Sequence, residues 1–175
     1  LLAGRALAGF GLTEPEAGSD AGATRTTARL DGDDWVIDGS KQFITNSGTP
    51  ITRFVTVTAV TGNEGGRKQI STIIVPNGTP GFTVEAPYDK VGWNASDTHP
   101  LSFAGARVPA GNLLGEQGSG FRNFLSILDE GRIAIAALST GAAEGCLEAA
   151  VDYAKSRTIF GSALSTRQNA QFTLA

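Results

Sequence analysis

The chain has no methionine, one cysteine and one histidine in 175 residues. A lone thiol, Cys146, excludes an intrachain disulfide and makes a reducing, cytoplasmic setting the expectation. Its apolar, helix-like surroundings predict a buried, inert thiol. Long apolar runs are also missing. The longest, IAIAAL at 133–138 and FVTVTAV at 54–60, fall short of the roughly 20 residues that cross a bilayer, so no transmembrane helix is expected. The opening LLAGRALAGFG lacks a charged leader and does not read as a signal peptide. Nor is there an excess of one charge: the formal net charge is −3 and the 14 basic residues are scattered. That excludes the electrostatic footprint of a nucleic-acid or anionic-membrane partner. The missing initial methionine, and a helical pattern that stops within QNAQFTLA at 168–175, read as the marks of a fragment.

What is present is a globular composition, 41% hydrophobic and 18% charged, with 23 glycines that imply many turns. Between residues 23 and 104 short runs of β-formers alternate with turn clusters. These are 35–45 with Asp38–Gly39 as a turn, 54–60, 69–76 and 81–86. After residue 117 the period changes: Phe121, Phe124, Leu125, Leu128, Ile135 and Leu138 recur at three- and four-residue steps, then Leu147, Ala150, Val151 and Ala154. Gly118 and Ser119 are the expected start of that helix and Gly161 its end, after Lys155 and Arg157. Gly131, Gly141 and Gly145 each weaken a helix by roughly 1 kcal/mol, which points to a break or a close helix–helix contact near 141–145. A second helix is expected from Leu164. The fold class is thus α+β. A small β-barrel or sandwich at 1–116 leads into the beginning of a helical domain at 117–175.

Two peptides are candidates for chemistry. In LTEPEAGSD, residues 12–20, Pro15 and Gly18 prevent regular structure while Thr13, Ser19 and nearby backbone N–H groups offer neutral donors. Such a loop suits a polar, planar or phosphorylated ligand, and equally an ordinary surface turn. In GSKQFITNSG, residues 39–48, an extended backbone would point Phe43 and Thr45 the same way, one aromatic face and one hydroxyl for a flat heterocycle. Phe43 in a core and Thr45 as a strand residue is the plainer alternative.

With TEPEAGSD at 13–20, GSKQFITN at 39–46, VGWNASDT at 91–98, RVPAGNLLG at 107–115, GSGF at 118–121 and YAKSRTIFG at 153–161 in this order, the chain resembles the acyl-CoA dehydrogenase family over essentially its full length. The resemblance implies a middle β-barrel domain at 1–116, with 1–9 readable as the tail of the preceding domain, followed by the first helices of a four-helix bundle, with the family's N-terminal helical domain missing. It implies FAD between barrel and helices. Phe10, Leu12 and Thr13 would lie along the isoalloxazine ring, and Gly18 and Ser19 near the diphosphate. Ser19 would also meet the pantetheine arm of the substrate. Phe43, Ile44 and Thr45 would line the flavin, with Thr45 near N5. Phe43 stands where relatives often carry tryptophan, keeping an aromatic face without the indole N–H. Asp129 and Arg132 would sit near the CoA portion. Arg157, Ile159, Phe160 and Gln168 would reach a neighbouring subunit's FAD in a homo-oligomer, a dimer or tetramer. His99, where many relatives carry arginine, reads as a solvated loop residue.

The implied reaction is FAD-dependent α,β-dehydrogenation of an acyl-CoA to trans-2-enoyl-CoA, with electrons passed to an electron-transfer flavoprotein. It needs a carboxylate base. Where some relatives carry that base, this chain has Gly131. Glu130 lies about 100° around the helix from it, so the base is expected outside this chain. In a eukaryote the mitochondrial matrix would be the compartment. Two alternatives stand beside this reading: an acyl-CoA oxidase or flavin monooxygenase of the same fold, and a β-barrel interaction module without cofactor.

Overall fold

A computed structural model describes all 175 residues, which form two compact units, Leu1–Leu125 and Ser126–Ala175. The first is built on one eight-stranded mixed sheet. In chain order its strands are β1 (Leu7–Gly11), β2 (Thr27–Asp31), β3 (Asp34–Thr45), β4 (Thr52–Glu64), β5 (Arg67–Pro76), β6 (Phe82–Val84), β7 (Thr98–Pro109) and β8 (Leu113–Leu114). The hydrogen-bonded order is β6-β7-β3-β2-β4-β5-β8, and β1 joins by pairing with β4.

Val55, Val57 and Ala59 of β4, every second residue, and Ile73 and Val75 of β5 lie in a single core. Trp35 and Ile37 of β3 join them, with Leu101, Phe103, Ala106 and Val108 of β7. Each such fully buried Val, Leu, Ile or Phe side chain contributes about 1.5–3 kcal/mol. One sheet supplying a core from all its long strands has curled upon itself, as expected of a barrel-like domain.

Along one edge of β4 two strands follow each other. β1 pairs in parallel with Thr52–Val57, and β2 takes over at Val60. The loop 12–26 therefore leaves that edge and returns to it a few residues on. β3 then pairs antiparallel with both β2 and β7, and its ladder with β7 is irregular between Ile37 and Gly39 and again between Lys41 and Ile44. Asp38–Gly39, expected as a turn, is thus a bulge inside one twelve-residue strand. The actual hairpin turn lies at 31–34, where Gly32 has φ 65°.

Helix α1 spans Gly120–Ser156 without interruption. Its first intrahelical bond runs from Asn123 N–H to the Ser119 carbonyl, while the Ser119 hydroxyl donates back to Glu116 O. A break at 141–145 does not occur; thirty-seven residues of mostly good helix formers outweigh three glycines. Gly161 is not the end of this helix. It follows Phe160 in the two-residue turn between β9 (Thr158–Ile159) and β10 (Ser162–Ala163), both with positive φ, as a tight hairpin requires. Helix α2 (Gln168–Leu174) closes the chain.

Every residue from Asp129 to Ala150 is exposed, Cys146 included, so the expected burial of that thiol is corrected. Helical periodicity implied a covering partner, and nothing within Ser126–Ala175 packs over this length. α1 is also long and apolar enough to cross a membrane by length and composition, with a mean hydropathy of 1.2. The contiguous runs underestimated it because glycine, serine and threonine interrupt the runs while barely lowering the average. Helices of helical domains meet the same test.

Gly120 starts α1 directly against β5: a Cβ there would stand 2.4 Å from the Ser71 carbonyl carbon and 2.6 Å from the Thr72 nitrogen. Backbone cannot yield as a side chain does. Gly120→Ala is therefore expected to destabilise the first unit by about 1–3 kcal/mol, the range for overpacking. An unchanged urea midpoint would show that the helix start has room.

Candidate functional site

The loop after β1 is tightly wired. Glu14 and Ala17 exchange backbone hydrogen bonds, Glu14 N–H to Ala17 O at 2.9 Å and Ala17 N–H to Glu14 O at 3.2 Å, closing a turn that Pro15 pre-shapes. Beneath it lies an ion pair. Lys41 Nζ stands 2.7 Å from Glu14 Oε1, with the lysine side chain 0% and the glutamate side chain 2% exposed. The ammonium also donates to Leu12 O at 3.1 Å and Thr58 Oγ1 at 2.9 Å, which uses all three of its protons. Glu14 in turn accepts from Arg25 N–H at 2.7 Å and Thr26 N–H at 3.1 Å, where the chain re-enters the sheet.

Burial pushes the Glu14 carboxyl up, but the Lys41 charge and the hydrogen bonds from Lys41, Thr26 and Arg25 outweigh it and hold it below the ordinary 4.5. Burial pushes the Lys41 ammonium down to about 8, against the charge and hydrogen bond of Glu14. Both groups remain ionised at neutral pH. Reading the motifs missed this pair. Its signal was a lysine at an inward-facing position of a strand, two residues beyond Gly39 and three before buried Ile44.

The bulge between Lys41 and Ile44 turns Gln42 and Phe43 out of the β7 ladder. Gln42 N–H donates instead to Thr13 O at 2.9 Å, which ties the two candidate peptides together. Phe43 has φ 60° and is 57% exposed, resting near Tyr88 with ring centroids 4.9 Å apart. Phe43 and Thr45 both lie at the surface while Ile44 between them is buried in the core, so Ile44 meets a ligand only through its backbone. The extended run expected through 43–45 is corrected at Phe43, where a positive φ re-aims the ring. The hydroxyls of Thr13 and Thr45 and the N–H of Thr13 have no partner within the chain. Leu12 is half-buried, Gly18 and Ser19 are exposed, and Phe10 stacks on Phe124 with centroids 4.0 Å apart.

Beyond Thr45 the chain is pinned by His99, which is 8% exposed on β7 opposite Ile44. This corrects the expected solvated histidine. Its Nδ1 is 2.7 Å from Glu85 O and its Nε2 2.6 Å from Asp97 Oδ1. Both partners are acceptors. Asp97 Oδ2 also accepts from Gly48 N–H at 2.8 Å, and Asp97 O from Asn46 N–H at 3.0 Å. A Cβ on Gly48 would stand 2.2 Å from His99 Nε2, so the residue there has to be glycine.

The remaining predicted residues belong to the second unit. Asp129 and Arg132 pair with each other on the exposed face of α1, beside exposed Glu130. Arg157 accepts a backbone bond from Leu164, and Ile159 O accepts from the Arg167 guanidinium, which lies 5.7 Å over the Phe160 ring. Phe160 is 95% exposed at its hairpin tip, and Gln168 opens α2 at the surface.

Comparison with known proteins gives two family matches: the acyl-CoA dehydrogenase middle domain over residues 9–106 and the acyl-CoA dehydrogenase C-terminal domain over 118–175. The chain is 52% identical over 176 aligned residues to a probable acyl-CoA dehydrogenase, YngJ, of Bacillus subtilis, covering 100% of this chain and 46% of that protein. Among solved structures, butyryl-CoA dehydrogenase from Megasphaera elsdenii superposes with a TM-score of 0.89 at 43% identity, over 97% of this chain and 44% of that one. A glutaryl-CoA dehydrogenase from Mycobacterium smegmatis in complex with FADH2 gives a TM-score of 0.86 at 38% identity, over 97% and 42%. The chain thus spans less than half the length of the relatives it matches.

Because Glu14 has a folded pKa below its unfolded one, its stabilisation is present above about 4.5 and is lost as pH falls through the folded value. The stability difference between the native protein and Glu14→Gln should therefore hold at neutral pH and shrink in acid. Denaturation of both at stepped pH reads this, and a difference that stays constant into acid contradicts it. His99→Ala removes two hydrogen bonds and should cost about 1–3 kcal/mol, read as a lowered denaturation midpoint.

Proposed function

The chain belongs to the acyl-CoA dehydrogenase family, and from that premise we propose that the polypeptide carrying it removes two hydrogens across Cα–Cβ of an acyl-CoA, giving the trans-2-enoyl-CoA. The observation that carries this reading is the joined pair of peptides at 12–14 and 42–45. Their free donors are the N–H and hydroxyl of half-buried Thr13 and the hydroxyl of exposed Thr45, and the Phe43 ring on the same peptide is exposed. These groups fit FAD: neutral donors suit the polar edge of an uncharged ring system, and an exposed aromatic suits its face. FAD, when bound, supplies the hydride acceptor.

Thr13 and its backbone hold the ring edge in this reading, and Thr45 donates near the reacting end. Arg132, exposed on α1 beside Asp129, offers a cation to the phosphates of CoA. Phe160 and Gln168 are surface groups available to a second subunit of a homo-oligomer. The proton-abstracting carboxylate lies outside these residues. Glu130 is exposed and about 100° around α1 from Gly131, the position where it would be wanted. Electrons pass to an electron-transfer flavoprotein.

The complete polypeptide, purified with FAD and kept anaerobic, should lose its yellow colour on addition of an acyl-CoA and regain it on addition of electron-transfer flavoprotein. Recovery in air alone, with no response to the flavoprotein, would make it an oxidase. No bleaching with acyl-CoAs from short to long chain would refute the dehydrogenase reading.

A further inference from the structure

The Lys41–Glu14 pair is an expensive arrangement: two ionised side chains, 0% and 2% exposed, removed from water. Replacing such pairs by well-packed apolar residues is often neutral or stabilising, so stability alone does not account for it. Its bonds show what else it does. From Lys41 on β3 and Glu14 in the loop they run to three further places: Leu12 O earlier in the loop, Arg25 and Thr26 at the entry to β2, and Thr58 on β4. Thr58 Oγ1 is within 3.4 Å of Gly11 O, which extends the network to the end of β1.

The consequence for the loop follows from peptide planarity. All peptide bonds in the chain are trans, and in a trans peptide the carbonyl and the following N–H point in opposite directions. Lys41 draws the Leu12 carbonyl toward the interior, so the N–H of Thr13 is turned away from it. That N–H has no partner in the chain. One residue on, Gln42 N–H takes the Thr13 carbonyl, and the Glu14 N–H that opposes it is consumed by Ala17. A buried ammonium therefore fixes the orientation of one outward donor beside the Thr13 hydroxyl. Because Lys41 also immediately precedes the bulge that turns out Phe43, the same side chain registers both candidate peptides.

We infer that Lys41 and Glu14 are positioning residues: a buried ion pair that aims the Thr13 N–H and sets the bulge carrying Phe43, so that both peptides meet the flavin ring. This rests on the flavin reading of the site. The pair touches neither ring nor substrate and acts only through Thr13 and Gln42–Phe43. Glu14, held below the ordinary carboxyl range, and Lys41, pushed down to about 8 by burial, are both ionised at neutral pH.

The test uses the complete polypeptide as apoprotein, titrated with FAD, in four forms: native, Lys41→Met/Glu14→Gln, Glu14→Gln alone, and the core variant Val108→Ala as a control for lost stability. The double variant leaves no orphan charge and retains one of the two oxygens that accept separately from Arg25 (Oε2) and Thr26 (Oε1). Expected is a folded double variant that binds FAD about tenfold more weakly, the worth of a misdirected hydrogen bond or two, with shifted flavin absorption bands. Glu14→Gln should fall between it and the native protein. Val108→Ala should lose melting temperature yet keep native FAD affinity and spectrum.

Native FAD affinity and spectrum in a folded double variant overturn the inference, as does equal weakening in Val108→Ala. If neither pair variant folds, the pair is a folding requirement and the positioning role is overturned too. A native protein that binds no FAD is a different failure: it removes the flavin reading itself, before any variant is compared.

Discussion

One buried ion pair organises the candidate site. The loop 12–26 leaves the edge of β4 where β1 ends and returns where β2 begins, so its two ends must be held in register across a gap in the sheet edge. A carboxylate is suited to that task because it accepts several donors at once, and Glu14 takes Arg25 N–H, Thr26 N–H and Lys41 together. Once burial removes water, those donors are its only partners, and the loop has one geometry in which all are satisfied. Without the lysine the carboxylate would be an unpaired buried charge. Without the glutamate the ammonium would be. Each makes the other tolerable, and both hold the chain around them.

The motifs and the geometry were legible to different degrees in the sequence. Runs of β-formers at 54–60 and 69–76 marked β4 and β5, the first by its strict alternation, and polar or turn residues bound each run. Asp38–Gly39 misled because the dipeptide is a turn signal locally. Long-range pairing overrides it: Asp38 accepts from Gly105 N–H at 2.7 Å on the neighbouring strand, which keeps the segment in the sheet. His99 misled for a similar reason. Its surroundings in sequence are polar, but its partners, Glu85 O and Asp97 Oδ1, include one fourteen residues away. Local composition reports what a side chain can do, and tertiary partners decide whether it is buried doing it.

The second unit shows the converse limit. Periodicity identified α1 and its apolar residues correctly, yet Ile133, Ile135, Leu138 and Leu147 are all 48% exposed or more. A helical stripe states that a surface is fit for burial, not that its partner is at hand. The match of residues 118–175 to a C-terminal domain, in a chain covering less than half of its relatives, supplies the context in which such a stripe belongs. The exposed Cys146 and the membrane-like hydropathy of α1 are two readings of this one fact.

Charge balance ties the clamp to the chemistry it would serve. A free ammonium beneath the loop would place a whole positive charge near a bound ring and bias it toward negatively charged states. Paired at 2.7 Å, Lys41 and Glu14 form a compact dipole whose field falls off faster with distance than that of a single charge. What Thr13 presents outward is then only the partial charges of an N–H and a hydroxyl, while a full ion pair fixes their direction. Strong interactions are spent inside, where they set geometry, and weak ones face the ligand, where they leave its electronic character largely to the ligand itself. A neutral clamp, lysine and glutamate both replaced by amides, would preserve that outward neutrality but not the stiffness behind it. The separation of these two properties is what makes the pair, and not the loop composition alone, the determinant of the site.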